Sequence, residues 1–144
     1  MADRTIGFGT DGQRLMTELG DGSGAWAPAV NARAIAAVVD AAIASGQSLS
    51  GAIDLGAGRL ARIVFPAALT GTQVTFQTSY DGTNYANLYD ETGTEVAYTV
   101  AASREVRVPL TDWLGIRWLK IRTGTSGSPS AQGADRALKL VTVL

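Results

Sequence analysis

Val74-Thr75-Phe76-Gln77-Thr78-Ser79 alternates apolar and polar residues, and Asp81-Gly82 follows it as a turn. Side chains alternate across a strand, so Val74 and Phe76 fall on a core face and Thr75, Gln77 and Ser79 on the opposite one. The same period runs outward in both directions. Upstream, Ala61-Arg62-Ile63-Val64-Phe65 places residues 61, 63 and 65 on one face before Pro66 ends the run. Downstream, Thr94 to Val100 is a Thr/Val/Tyr strand, and Arg104 to Leu110 aligns Val106, Val108 and Leu110. Ile116 to Arg122 aligns Leu119 with Ile121 against Trp118, Lys120 and Arg122. A Gly/Ser/Thr loop from Thr123 to Gly133 leads into a last strand, Ala137 to Leu144. Short strands with turns every 8–12 residues or so predict an all-β fold, an antiparallel β-sandwich or jelly roll. The gaps are too short for the crossover helices of a parallel sheet.

The leading third reads differently. Six of the 17 glycines fall in the first thirty residues (Gly7, Gly9, Gly12, Gly20, Gly22 and Gly24), too closely spaced for a stable helix or long strand. Isolated apolar residues stand between them: Ile6, Phe8, Leu15, Met16, Leu19 and Trp26. Disordered tails carry few such anchors, so residues 1–30 read as an extended Gly-rich arm that docks on a neighbouring subunit or folds back on its own domain. Residues 31–46 connect this arm to the sandwich domain, 47–144. Within them Ile35, Val38, Val39, Ala42 and Ile43 have helical spacing, with Asn31 as a cap and Gly46 as a stop, which predicts one short helix.

Composition removes whole classes of chemistry. The 144 residues include no Cys and no His, so disulfides, Cys/His zinc sites, thiol nucleophiles and His-based triads are excluded. A net charge of −1 offers no bulk attraction to nucleic acid or acidic membranes. Ten of the twelve cationic residues are Arg, with only Lys120 and Lys139 as Lys. Arg favours ordered bidentate contacts, although GC-rich coding gives the same bias. No apolar run approaches the ~20 residues of a membrane span, and Met1-Ala2-Asp3-Arg4 lacks a secretory h-region. The expectation is a soluble chain made in the cytoplasm, not an enzyme, with no cofactor, no nucleic-acid partner and no membrane partner.

The motifs that remain are weak or concern contact. Gly7-Phe8-Gly9-Thr10-Asp11-Gly12 matches G-x-G-x-x-G but has no strand before it and no helix after it. Asp81, Asn84, Asp90, Glu91 and Glu95 lack the spacing of a Ca²⁺ loop, and Asp81-Gly82 and Thr92-Gly93 are explained as turns, so no metal site is expected. No pair of carboxylates stands out for acid–base catalysis, and Ser occurs without a G-x-S-x-G elbow. The aromatics are more informative. Tyr80, Tyr85, Tyr89 and Tyr98 cluster near Asn84, and Trp118, Lys120 and Arg122 share one strand face. Rings beside Asn and Asp suit glycan stacking, protein interfaces or the capped ends of a sandwich, and the three readings stay open. An outward Trp beside two cations is either covered by the N-terminal region of its own chain or a contact surface.

Two stretches resemble galactose-binding-like (discoidin-type) jelly rolls. Ser79-Tyr80-Asp81-Gly82-Thr83-Asn84-Tyr85 is similar to that class's S-x-D-G-x-x-[WY] turn, and Gly115-Ile116-Arg117-Trp118-Leu119-Lys120-Ile121 to its R-[YW]-[VL]-[RK]-[IV] strand. Ser48–Gly56, Phe65-Pro66-Ala67-Ala68 and Arg122–Gly127 resemble small tailed-bacteriophage virion proteins, and the likeness extends over residues 45–144. It implies a first strand at Asp40–Ser45, against the helical spacing, so that segment stays open between helix and strand. It also implies a virion component: a capsid decoration (cement) or head-fibre protein docking by its arm on phage capsid or other virion proteins. A homo-oligomer, with a trimer favoured, follows from that role. The alternative is a tail, collar or baseplate adhesin module binding host-surface glycan through the Tyr80–Tyr98 region. No glycan ligand transfers residue by residue from the class.

Overall fold

The computed structural model describes residues 35–144. Nine strands form in chain order: β1 (Ala37–Ile43), β2 (Ile53–Asp54), β3 (Arg59–Val64), β4 (Gln73–Ser79), β5 (Ala86–Asn87), β6 (Ala97–Thr99), β7 (Glu105–Arg107), β8 (Trp118–Thr123) and β9 (Arg136–Val143). Among the described residues one 3-10 turn, Leu110–Trp113, lies between β7 and β8. Sheet A has the order β1-β9-β3-β7, and sheet B the order β2-β8-β4-β5 with β6 also paired to β4. Every pairing between these strands is antiparallel. The described residues therefore form the expected all-β sandwich.

The inner faces follow the period-two reading closely. Val74 and Phe76 of β4 pair with Thr123 and Ile121 of β8, and all four are fully buried. From sheet A, Leu60, Ile63, Leu138 and Leu140 close the core from the other side. Phe76 sits at the centre of an aromatic cluster, edge-on to Trp113 at 4.8 Å and to Tyr98 at 5.5 Å between ring centroids. Edge-to-face pairs of this kind add about 0.5–1.5 kcal/mol beyond area burial.

Two readings change. The helical spacing over 31–45 does not become a helix where the chain is described, because residues 37–43 are β1, in unbroken register with β9 from Ala37↔Thr142 to Ile43↔Arg136. Helix propensity is a weak prior, and a long partner strand overrides it. Ala41 and Ile43 face the core while Val38, Asp40 and Ala42 face out, a strand alternation hidden inside helical spacing. In β3, the register shifts between Leu60 and Arg62. This bulge lets Leu60 and Ile63 both face inward although their spacing is odd, and Ala61 leaves the core face to which simple alternation assigns it.

The arm residues 1–30, with Ile6, Phe8, Leu15, Met16, Leu19 and Trp26, lie outside the described residues, as do residues 31–34.

Candidate functional site

The outer face of sheet B carries most of the singled-out side chains, and the loop after β4 shapes it. Ser79 Oγ donates to Asp81 Oδ1 at 2.8 Å and accepts the Gly82 amide at 2.9 Å. Asp81 Oδ1 accepts the Thr83 and Asn84 amides at 2.8 Å each, while Oδ2 accepts Asn84 Nδ2 at 2.7 Å. The Asn84 and Thr83 amides, then the Asn84 and Ser79 side chains, hold the Asp81 carboxyl well below the usual carboxylate range. Asn84 and Asp81 are thereby committed to the loop itself. Gly82 has φ +79°, and a Cβ there would lie 3.2 Å from the Trp118 indole. The turn thus lies against the tryptophan, where any other residue would be strained by the positive φ and would press on the indole.

Three of the predicted residues, Trp118, Lys120 and Tyr85, lie on this face or beside it. Trp118 is half-buried under Gly82 and takes the Arg117 guanidinium on its ring at 4.6 Å. Arg117 in turn grips Asp54 with two hydrogen bonds, 2.8 Å to Oδ1 and 2.9 Å to Oδ2. That pairing, with the Gly56 amide, brings the Asp54 carboxyl down to about 2. Lys120 Nζ lies 4.5 Å over the Tyr85 ring, whose hydroxyl is buried without a hydrogen-bond partner. The Ser79–Tyr85 loop therefore lies against the outward Trp at Gly82, whereas the N-terminal region expected to cover it falls outside the described residues.

Arg122 departs from an ordinary outer-face cation because it is 7% exposed. It donates to Asn87 Oδ1 at 2.7 Å and Thr75 Oγ1 at 3.2 Å, and stands 3.6 Å from Glu95 Oε2. Glu95 also accepts the Ser126 amide at 3.0 Å and the Ser126 hydroxyl at 2.6 Å. Burial pushes the Glu95 carboxyl up, but the Ser126 bonds and the Arg122 charge outweigh it and the net shift is downward. Thr75 points away from the core as its spacing predicts, yet this network buries it completely.

The other tyrosines separate. Tyr80 stands almost fully exposed at the loop tip. Tyr98 packs its ring on Phe76, donates its hydroxyl to Asp112 at 3.0 Å and accepts Trp113 Nε1 at 3.1 Å. Burial and the Asp112 carboxylate raise its pKa. Tyr89, 50% exposed, borders a concavity of about 490 Å³ together with Asp90, Glu91, Thr94, Thr111 and Asp112. Asp90 Oδ1 accepts the Thr92 hydroxyl at 2.7 Å and the Thr92 and Thr94 amides at 2.8 and 2.9 Å, which lowers its pKa and ties it to its own turn. Among the described residues, no group of three or more Asp or Glu is placed to hold a metal ion.

A second concavity, of about 720 Å³, opens on sheet A. Ile35, Ala61, Leu110, Val141 and Val143 form its apolar wall, and Arg62, Glu105 and Arg107 its charged rim. Arg62 and Glu105 pair across that rim at 3.3 Å. The aromatic-centred sequence reading missed this face. Its signal is the run Leu140-Val141-Thr142-Val143, whose apolar residues fall on both faces of β9, with Val141 and Val143 lining the concavity.

No family model, no curated protein and no solved structure matches this chain.

Proposed function

We propose that this chain is a non-enzymatic structural component of a tailed-phage particle, a capsid decoration or head-fibre protein. In this reading residues 1–30 dock it on the particle and its sandwich contacts neighbouring virion proteins. The observation that carries the reading is the concavity on sheet A. An apolar surface edged by charged groups is the anatomy of a protein–protein interface, and the exposed Ile35 belongs to this lining. The resemblance of residues 45–144 to small virion proteins supplies the particle context. Its test is cosedimentation with particles of the encoding phage. The full chain is expected to bind them, and a chain lacking residues 1–30 to lose binding. Wild-type affinity after deletion would sink the arm's role.

The Tyr89 concavity favours a second reading, an adhesin module for host-surface polysaccharide. A half-exposed ring offers a stacking face, and Thr94, Thr111 and Asp112 offer partners for hydroxyls. A glycan array read with the full chain and with Tyr89→Ala tests it. Signal that disappears in the variant supports glycan binding, and no signal from the intact chain removes this reading.

A further inference from the structure

We propose that β1 is a self-pairing edge, through which two copies of this chain associate by antiparallel β1–β1 addition about a two-fold axis. The inference is independent of the particle and glycan readings. It starts from the edges of the two sheets. A strand edge presents unpaired N–H and C=O groups, and natural sheets blunt such edges with short strands, prolines, lysines or bulges. Among the described residues every other edge is blunted. β2 and β5 have two residues each and β6 three. β7 has three, two of them charged, with Pro109 two positions beyond.

β1 has none of these devices. Its seven residues, Ala-Val-Val-Asp-Ala-Ala-Ile, extend about 23 Å and pair with β9 without a bulge. It contains no proline, glycine or lysine. Its only charge, Asp40, pairs with Lys139 Nζ of the neighbouring strand at 2.7 Å while its side chain stays 70% exposed, so a single half-neutralised carboxylate is all that guards this edge. Val38 is 54% exposed beside it, and Ile35, 53% exposed, precedes it.

A second copy fits this edge because antiparallel pairing about a two-fold is self-complementary, each strand supplying what the other lacks. Charge excludes one register, and the exposed Val38 enters the pairing when the two-fold lies at Val39. A two-fold at Asp40 would set two carboxylates face to face. A two-fold at Val39 separates them and places Val38 opposite Asp40 of the second copy, and Val39 opposite Val39. The edge alone, about 23 Å long on a sheet about 10 Å thick, covers roughly 230 Å² per copy, against ~800 Å² in a stable interface. The dimer is accordingly weak and concentration-dependent.

The experiment is sedimentation equilibrium of the full chain across a wide concentration range. The mass should rise reversibly from the 14.9 kDa monomer towards twice that value. Substitution at Val38 then reads the register, since its exposed side chain can change without loss of folding. Val38→Asp should weaken the dimer roughly tenfold, because two like-charge pairs form per dimer. Val38→Lys should strengthen it by a similar factor. Because the chain has no cysteine, Val38→Cys provides a single thiol, about 7–8 Å from its counterpart in this register and open to a short bis-thiol crosslinker. A monomer at every concentration overturns the proposal. So does a trimer or other oligomer indifferent to both charge variants, or a dimer that Asp and Lys weaken equally. Loss of particle binding on deleting residues 1–30 leaves it untouched.

Discussion

At Gly82 the Asp81-Gly82 pair is legible as a turn, but the reason for glycine is only half local. Its positive φ belongs to the turn, whereas the Trp118 indole under the missing Cβ comes from a strand more than thirty residues away. Gly82→Ala should therefore cost about 1–3 kcal/mol, combining left-handed strain with a displaced indole, and a urea midpoint measures it. Gln132 shows the opposite imbalance. In sequence it is one polar residue in a Gly/Ser/Thr loop, yet it is buried. Its Oε1 accepts the Thr70 amide at 2.9 Å, while Nε2 donates to the Thr70 carbonyl at 2.7 Å and to Thr123 Oγ1 at 3.0 Å. It thus replaces a strand partner for Thr70. Gln132→Ala should cost about 2–3 kcal/mol by orphaning those groups, seen as a lower thermal midpoint. No local pattern announces such a staple, because its partner is 62 residues away.

Among the elements, β4 and β8 were legible almost residue by residue, since each alternates strictly and each buries one face against the core. What covers their other face was not. Thr75 and Arg122 read as outward, and they are outward, but Glu95, Asn87 and Ser126 arrive over them from three separate segments. This network gives a paired prediction. Arg122→Ala should cost about 3 kcal/mol, because it leaves the Glu95 carboxylate without its cation in a mostly buried place. Glu95→Gln should cost somewhat less, about 2 kcal/mol, since it leaves the buried Arg122 cation without its anion while an amide oxygen still accepts from Ser126. Chemical denaturation of both single variants and of the double variant checks it, and losses that simply add would mean that the ion pair itself contributes nothing. β1 stayed open between helix and strand, and β3 was misread, for related reasons. The neighbour β9 turned helical spacing into a strand, and a bulge at Ala61 broke the alternation of its own strand.

For the whole molecule, the titrating groups combine into one pH response. Asp54, Asp81, Asp90 and Glu95 all have pKa values below their ordinary ones in the folded chain. A depressed carboxylate contributes stability that is present above its unfolded pKa, near 4, and is lost as pH falls towards the folded value. With no histidine to titrate, the thermal midpoint should stay nearly flat from about pH 5 to 8 and fall steeply below about pH 4. A broad decline between pH 7 and 5 would contradict that origin. The sequence by itself determined the all-β class, the Asp81-Gly82 turn and the inner faces of β4 and β8. It also determined the exclusion of thiol and imidazole chemistry. Only the tertiary structure decided that residues 37–43 are a strand, that β3 carries a bulge, that Arg122 is buried, and that sheet A has an apolar outer hollow. The reason is physical. Alternation and turn preference act between residues a few positions apart, whereas a strand's partner, a bulge and the cover over a sheet are set by side chains distant in the chain.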